Sequence, residues 1–148
     1  MSQALHEGYV GGHGSDWRSL VTSRPTFQAY WILRVGFAVL PIVAGFDKFL
    51  QLLVNWDQYL APSVAQMLPV SGHTFMLMVG VVEIAAGVLV AVMPSIGAYV
   101  VMLWLWGIIA NLLMVPGFYD VTLRDFGLSL GALALGRLSQ EFSDWPKR

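Results

Sequence analysis

The sequence contains no cysteine. That excludes disulfides, thiol redox chemistry, iron–sulfur ligation and Cys-based zinc sites. Charge is scarce as well. Eight Lys and Arg and nine Asp and Glu make up 11% of 148 residues, for a net charge of −1. A soluble domain carries about 25% charged residues, so this chain cannot coat a globule of its size with polar surface. The shortage argues against a soluble enzyme and against a disordered chain. The near balance of signs leaves no basic patch for nucleic acid. Histidine occurs three times, at His6, His13 and His73, with no HExxH or other metal-ligand spacing. None lies inside an apolar run, which removes the usual axial ligands for haem. There is no Walker-type loop and no Ser-His-Asp set. Activity is therefore much less legible than class.

Apolar sequence is plentiful: 57% of residues are hydrophobic, and the mean hydropathy is +0.66. Four continuous apolar stretches cover residues 27–46, 74–92, 96–115 and 121–138. A bilayer core needs about 20 helical residues to cross it, and only helices or closed barrels satisfy their backbone in lipid. The runs do not alternate apolar with polar positions, so they predict helices. The fourth starts polar and has the shortest apolar part. The expected fold is an all-α polytopic membrane protein with four transmembrane helices in an antiparallel bundle over residues 27–138. A polar, Gly-rich N-terminal arm (1–26) precedes it, with Ser15 and Asp16 as candidate caps of a short helix. A short tail (139–148) follows it. The arm has no apolar core behind a basic start, unlike a secretory signal peptide.

Proline and glycine punctuate the chain. Pro41 falls inside the first helix, where it removes a backbone donor. Met93-Pro94-Ser95 predicts a tight hairpin between the second and third helices, and Pro116-Gly117 ends the third. Residues 47–73, with Trp56, Tyr59, Pro62 and Pro69, predict a short interfacial segment with its aromatics at headgroup level. Five cations (Arg18, Arg24, Arg137, Lys147, Arg148) on the terminal side against Lys48 and Arg124 on the other predict both termini in the cytoplasm. The expected location is the cell's inner (cytoplasmic) membrane.

Charges inside spans are costly, so each invites a functional reading. Arg34 and Glu83 fall at similar depths when counted from the ends of their runs, which predicts an intramembrane pair. It reads either as structural glue or as a proton-handling or quinone-headgroup contact. Asp47, Lys48, Asn111, Asp120, Arg124 and Asp125 gather near the far ends of the spans. They predict an outer polar cluster beneath Trp56 and Tyr59, either an interfacial ion network or a small ligand pocket. Gly80, Gly87, Gly97, Gly127, Gly131, Ala132 and Gly136 predict close helix–helix approach. Trp104 and Trp106 lie mid-span and are expected to face lipid or a neighbouring subunit. His73 reads as a capping or interface residue.

The order of these motifs resembles the DoxX family of small four-helix membrane proteins. The likeness covers about residues 30–138. It rests on LRVGFAVLPIVAGFDKF with Arg34, Gly45 and Lys48, and on the connection NWDQYLAP. It rests also on GVVEIAAGVLV with Glu83 and Gly87, and on LRDFGLSLGALAL with Arg124, Asp125 and Gly127. The resemblance implies a membrane subunit associated with quinone-linked redox complexes; some relatives are subunits of thiosulfate:quinone oxidoreductase. Relatives that work through thiols are excluded as guides by the missing cysteines. The leading expectation is an accessory subunit of a respiratory-type electron-transport complex, not catalytic alone. It would contact the lipid bilayer and other membrane subunits but no nucleic acid, and would hold no covalent cofactor or metal, with a quinone or lipid contact at most. The alternatives are a thiosulfate:quinone oxidoreductase subunit, with Arg34, Lys48, Glu83 and Arg124 as anion and quinone contacts, or a small oligomeric proton-coupled transporter.

Overall fold

The structure, a computed structural model, describes residues 24–143. The expected cap at Ser15 and Asp16, His6, His13 and Arg18, and the tail cations Lys147 and Arg148 lie outside the described residues. Every regular element among the described residues is helical. The order is α1 (Pro25–Leu50), a 3₁₀ turn (Trp56–Tyr59), α2 (Pro62–Met67), α3 (Gly72–Val92), α4 (Pro94–Leu113) and α5 (Tyr119–Ser143).

Local chemistry sets these boundaries. Pro25, Pro62 and Pro94 each open a helix, where the missing N–H has no intrahelical partner to lose. Ser71 caps α3 by accepting from Thr74 N–H. α1 runs unbroken through Pro41. Two expected boundaries move as a result. The arm ends before Pro25, because α1 begins there, and residues 139–143 continue α5 instead of starting a tail. The α3–α4 hairpin is also tighter than expected. Met93 alone separates the helices, since Pro94 and Ser95 already belong to α4.

α1, α3 and α4 are long and apolar enough to cross a membrane, so by length and composition this is a membrane protein. α5 is as long as α1 but less apolar.

α1 packs along α3, and α4 along α5, while α3 and α4 meet less extensively, with Gly97 against Val90 beside their hairpin. Each contact runs antiparallel. Gly45 lies against Gly80 and Ile84, and Gly87 against Ala38 and Ile42. On the other pair the Tyr99 ring fills the space beside Gly136, and Trp106 meets Phe126 edge-on. α1 closes the bundle on α5 through Phe37 against Gly131 and Tyr30 against Phe142.

A side chain at Gly45 or Gly87 would start 2.5 Å from a carbonyl oxygen of the facing helix, and one at Gly97 2.6 Å from Val90 N. The small residues therefore set the helix spacing, as expected where packing drives association. Gly127 is the exception, since nothing lies within 4 Å of its Cβ position.

Polarity is inverted relative to a soluble bundle. Asp47, Lys48, Glu83, Thr122, Ser129 and Ser139 are buried, whereas Ile32, Leu40, Val81, Leu103, Leu123 and Leu130 are exposed.

Candidate functional site

The buried charged residues, Asp47, Lys48 and Glu83, lie toward the part of the bundle that faces the 51–61 connection. At its centre is a Lys48–Glu83 ion pair, Nζ to Oε2 2.6 Å, between α1 and α3. The two side chains are 2% and 11% exposed, low enough that water cannot substitute for either partner. Gly80, one turn before Glu83, makes room: a Cβ there would stand 3.2 Å from Lys48 Cβ. The Lys48 ammonium also sits 3.8 Å from the centroid of the Trp56 ring, a cation–π contact that strengthens when desolvated.

Asp47, the neighbouring residue, fastens the connection over this pair. Its carboxylate accepts from Leu52 N–H, Leu53 N–H and Trp56 Nε1–H, the last at 2.7 Å. The chain turns there through Gln51, the one described non-glycine residue at positive φ (+50°). The other side of the connection is pinned to α4. Asn111 donates to Tyr59 O at 2.7 Å and accepts from Ala61 N–H at 3.0 Å. Tyr59 packs edge-on against Phe118, and His73 Nδ1 lies 2.8 Å from Asp57 Oδ2. His73 thus joins α3 to the connection, and Ser71, not His73, is the cap.

The expected Arg34–Glu83 pair does not form. Arg34 donates to Ala91 O at 2.6 Å and to Tyr30 Oη at 3.1 Å, and stacks 4.9 Å from the Trp31 ring. The reason is register. Gly45 packs at Gly80 and Ile84 and Ala38 at Gly87, so α1 overhangs the hairpin end of α3 and Arg34 lies level with the last turn of α3. Its partner is one of the carbonyls that a helix C-terminus leaves unpaired. Ala91 is eight residues beyond Glu83, about 12 Å along the helix.

The outer cluster also divides. Lys48 turns inward to Glu83, Asp47 serves the connection and Asn111 holds its far side. Asp120 and Arg124 pair only with each other, at 3.3 Å on an exposed surface, a geometry worth about 0.3–0.5 kcal/mol. Asp125 faces the other way. It is partly buried, three residues after buried Thr122 and four before buried Ser129 on α5.

Trp104 corrects a further expectation. Its ring is half-buried and borders the α3 residues Val82 and Ala86. The indole nitrogen is buried without completing a hydrogen bond. Trp106, by contrast, is 48% exposed on the outer surface, as expected of a residue facing lipid or a neighbour. The sequence held a signal for Trp104. The hairpin is centred on Met93 with Val90 against Gly97, so equal steps outward bring Glu83 level with Trp104. A shallow groove between α3 and α4, lined by Val82, Ala86, Val100 and Leu103, ends on the same indole ring.

Among the described residues no three His, Asp or Glu side chains are grouped to hold a metal. Compared with protein-family models, with curated proteins and with solved structures, the chain matches none. The fold and site define a class, an all-helical membrane protein with a buried ion pair between its first two long helices.

Proposed function

We propose that this chain is a DoxX-like four-span subunit that serves as an accessory, structural component of a quinone-linked membrane redox complex, with both termini in the cytoplasm of the cell's inner membrane. The observation that carries the membrane-subunit part is the inverted polarity of the bundle, extended to α5. The hydroxyl residues of α5 face inward and satisfy themselves, while its exposed charged residues Asp120, Arg124, Arg137 and Glu141 lie toward its two ends. Thr122 donates to Phe118 O, Ser129 to Phe126 O and Ser139 to Leu135 O. Leu123, Phe126, Leu130 and Leu133 face outward. A helix with this arrangement suits lipid despite its composition. The use of the charges supports the accessory reading. Lys48, Glu83, Asp47 and Asn111 are each committed to holding helices and connection together. The redox and quinone association rests on the resemblance of the motifs around Arg34, Lys48, Glu83 and Arg124.

The alternative of a thiosulfate:quinone oxidoreductase subunit takes Arg34, Lys48, Glu83 and Arg124 as anion and quinone contacts. Arg34 sits at the hairpin end and Arg124 on the surface, so the four share no site. Purification from native membranes in mild detergent tests the accessory reading. The expected result is co-migration with subunits that absorb as haem or flavin. A colourless preparation containing this chain alone, with thiosulfate-independent partners nowhere in the fraction, overturns it.

A further inference from the structure

We infer that Arg34 and the outer edge of the α1–α3 seam form a binding site for one anionic phospholipid, in the leaflet where the Met93 hairpin emerges. The guanidinium takes the lipid phosphate and the seam takes an acyl chain. The inference stands on geometry and on charge count, and it does not depend on the redox assignment.

Arg34 is a cation at the edge of the apolar layer with no described anion to meet it. It is half-buried and level with the last turn of α3, where it donates to Ala91 O at 2.6 Å and to Tyr30 Oη at 3.1 Å. Both partners are neutral. A guanidinium has five N–H donors, so three remain beyond these contacts. The Trp31 ring, 4.9 Å from the guanidinium carbon, steadies it through a cation–π contact. The ion pairs among the described residues are Lys48–Glu83, His73–Asp57 and Arg124–Asp120, and all lie toward the connection end. The hairpin end carries Arg24, Arg34 and Arg137 against Glu141 among the described residues, and none of the four enters one of those pairs. A lone cation at this depth is costly. A phosphate relieves the cost well, because it accepts two parallel charge-assisted hydrogen bonds from the arginine fork.

The surface leading away from Arg34 suits a hydrocarbon chain. Ala38 of α1 packs on Gly87 of α3. The next residue on each helix, Val39 and Val88, is turned about 100° from that contact. The helices are antiparallel, so both turns lead to the same side of the seam. Val35 and Trp31 continue the α1 edge in steps of four toward the hairpin end. Trp31, Val35, Val39 and Val88 are all exposed. One flank of the seam is thus an apolar track that ends beside the guanidinium, with an indole at headgroup level, where tryptophan is favoured. The opposite leaflet offers no equivalent among the described residues, since Lys48 is taken by Glu83 and Arg124 by Asp120. The track is what commits the site to a lipid, for a soluble phosphate would make no use of it.

Native mass spectrometry of the full chain reads the site, with the protein released from detergent micelles doped with phosphatidylglycerol or with phosphatidylcholine of the same acyl chains. Wild type is expected to retain one phosphatidylglycerol per chain and about tenfold less phosphatidylcholine. Arg34→Gln should weaken phosphatidylglycerol binding by about tenfold or more, the usual worth of a charged hydrogen bond. Val88→Trp fills the track at an exposed position, leaves Arg34 in place and should also lose the lipid. Arg137→Gln, which removes an exposed cation of the same end on α5, should leave binding unchanged. Equal retention of the two lipids, unchanged retention in Arg34→Gln or Val88→Trp, or an equal loss in Arg137→Gln overturns the inference. Displacement of the lipid by excess inorganic phosphate would mean a free-anion site and overturns it too. Thermal unfolding monitored by circular dichroism confirms that each variant is folded, and Val88→Trp supplies the decisive comparison should Arg34→Gln fold poorly.

Discussion

Lys48 and Glu83 are the side chains on which the bundle depends most. Breaking one half of a buried ion pair leaves an uncompensated charge and costs about 3–5 kcal/mol, whereas replacing both halves with apolar residues of similar size is close to neutral. Lys48→Met is expected to lower the unfolding free energy in detergent by an amount in that range. The double variant Lys48→Met/Glu83→Met should regain most of it. Denaturant titration of the two single variants and the double variant gives the coupling energy, and additivity of the two losses would contradict a direct pair. Asn111 is a milder case. Its two hydrogen bonds are worth about 1 kcal/mol each, and Asn111→Leu should release residues 51–61, seen as faster proteolysis within that segment and little change elsewhere. His73 and Asp57 are partly exposed, at 55% and 33%, so His73→Ala should change stability by less than about 1 kcal/mol.

The contacts between helices turn on glycine, and here substitution has a built-in control. Gly45→Val and Gly87→Val drive a side chain into the facing backbone and should separate α1 from α3, read as a large loss of thermal stability. Gly127→Ala and Gly107→Ala meet nothing within 4 Å and should leave stability unchanged or slightly raised, since alanine favours helix by up to about 1 kcal/mol. The long helices were legible in the sequence because an apolar run of span length has few other solutions. Punctuation by Pro94 and by Pro116-Gly117 was equally plain. The partners of the charged residues were not. Depth counted from the edge of an apolar run misplaces a residue when two neighbouring helices are not flush at their ends, and α1 overhangs the hairpin end of α3, with Ala38 opposite Gly87. That offset moved Arg34 away from Glu83 and brought Lys48 within reach. Trp104 was hidden for a different reason. An aromatic residue in a membrane helix fits lipid as well as it fits a polar site, and only the register of the one-residue hairpin distinguishes them.

As a complete assembly the bundle consists of two antiparallel pairs, α1 with α3 and α4 with α5. If α5 crosses the bilayer, the hairpin at Met93 and the end of α5 emerge on one side and residues 51–71 on the other. The absence of native cysteine makes this simple to check. In oriented vesicles, Ser95→Cys and Gln140→Cys should react with an impermeant thiol reagent from the same side, and Ser63→Cys from the opposite side. Labelling of Gln140→Cys together with Ser63→Cys would mean that α5 does not cross. The Lys48–Glu83 pair also has a bearing on biosynthesis. Its two members are 35 residues apart, so α1 leaves the ribosome and meets the bilayer while the residue that will neutralise Lys48 is still being synthesised. Lys48 lies in the last turn of α1, where a long stem can keep its ammonium among the headgroups. It can wait there until the second long segment of nascent chain delivers an acid and draws it down. Maturation of this protein is thus an inward journey of one cation, timed by translation.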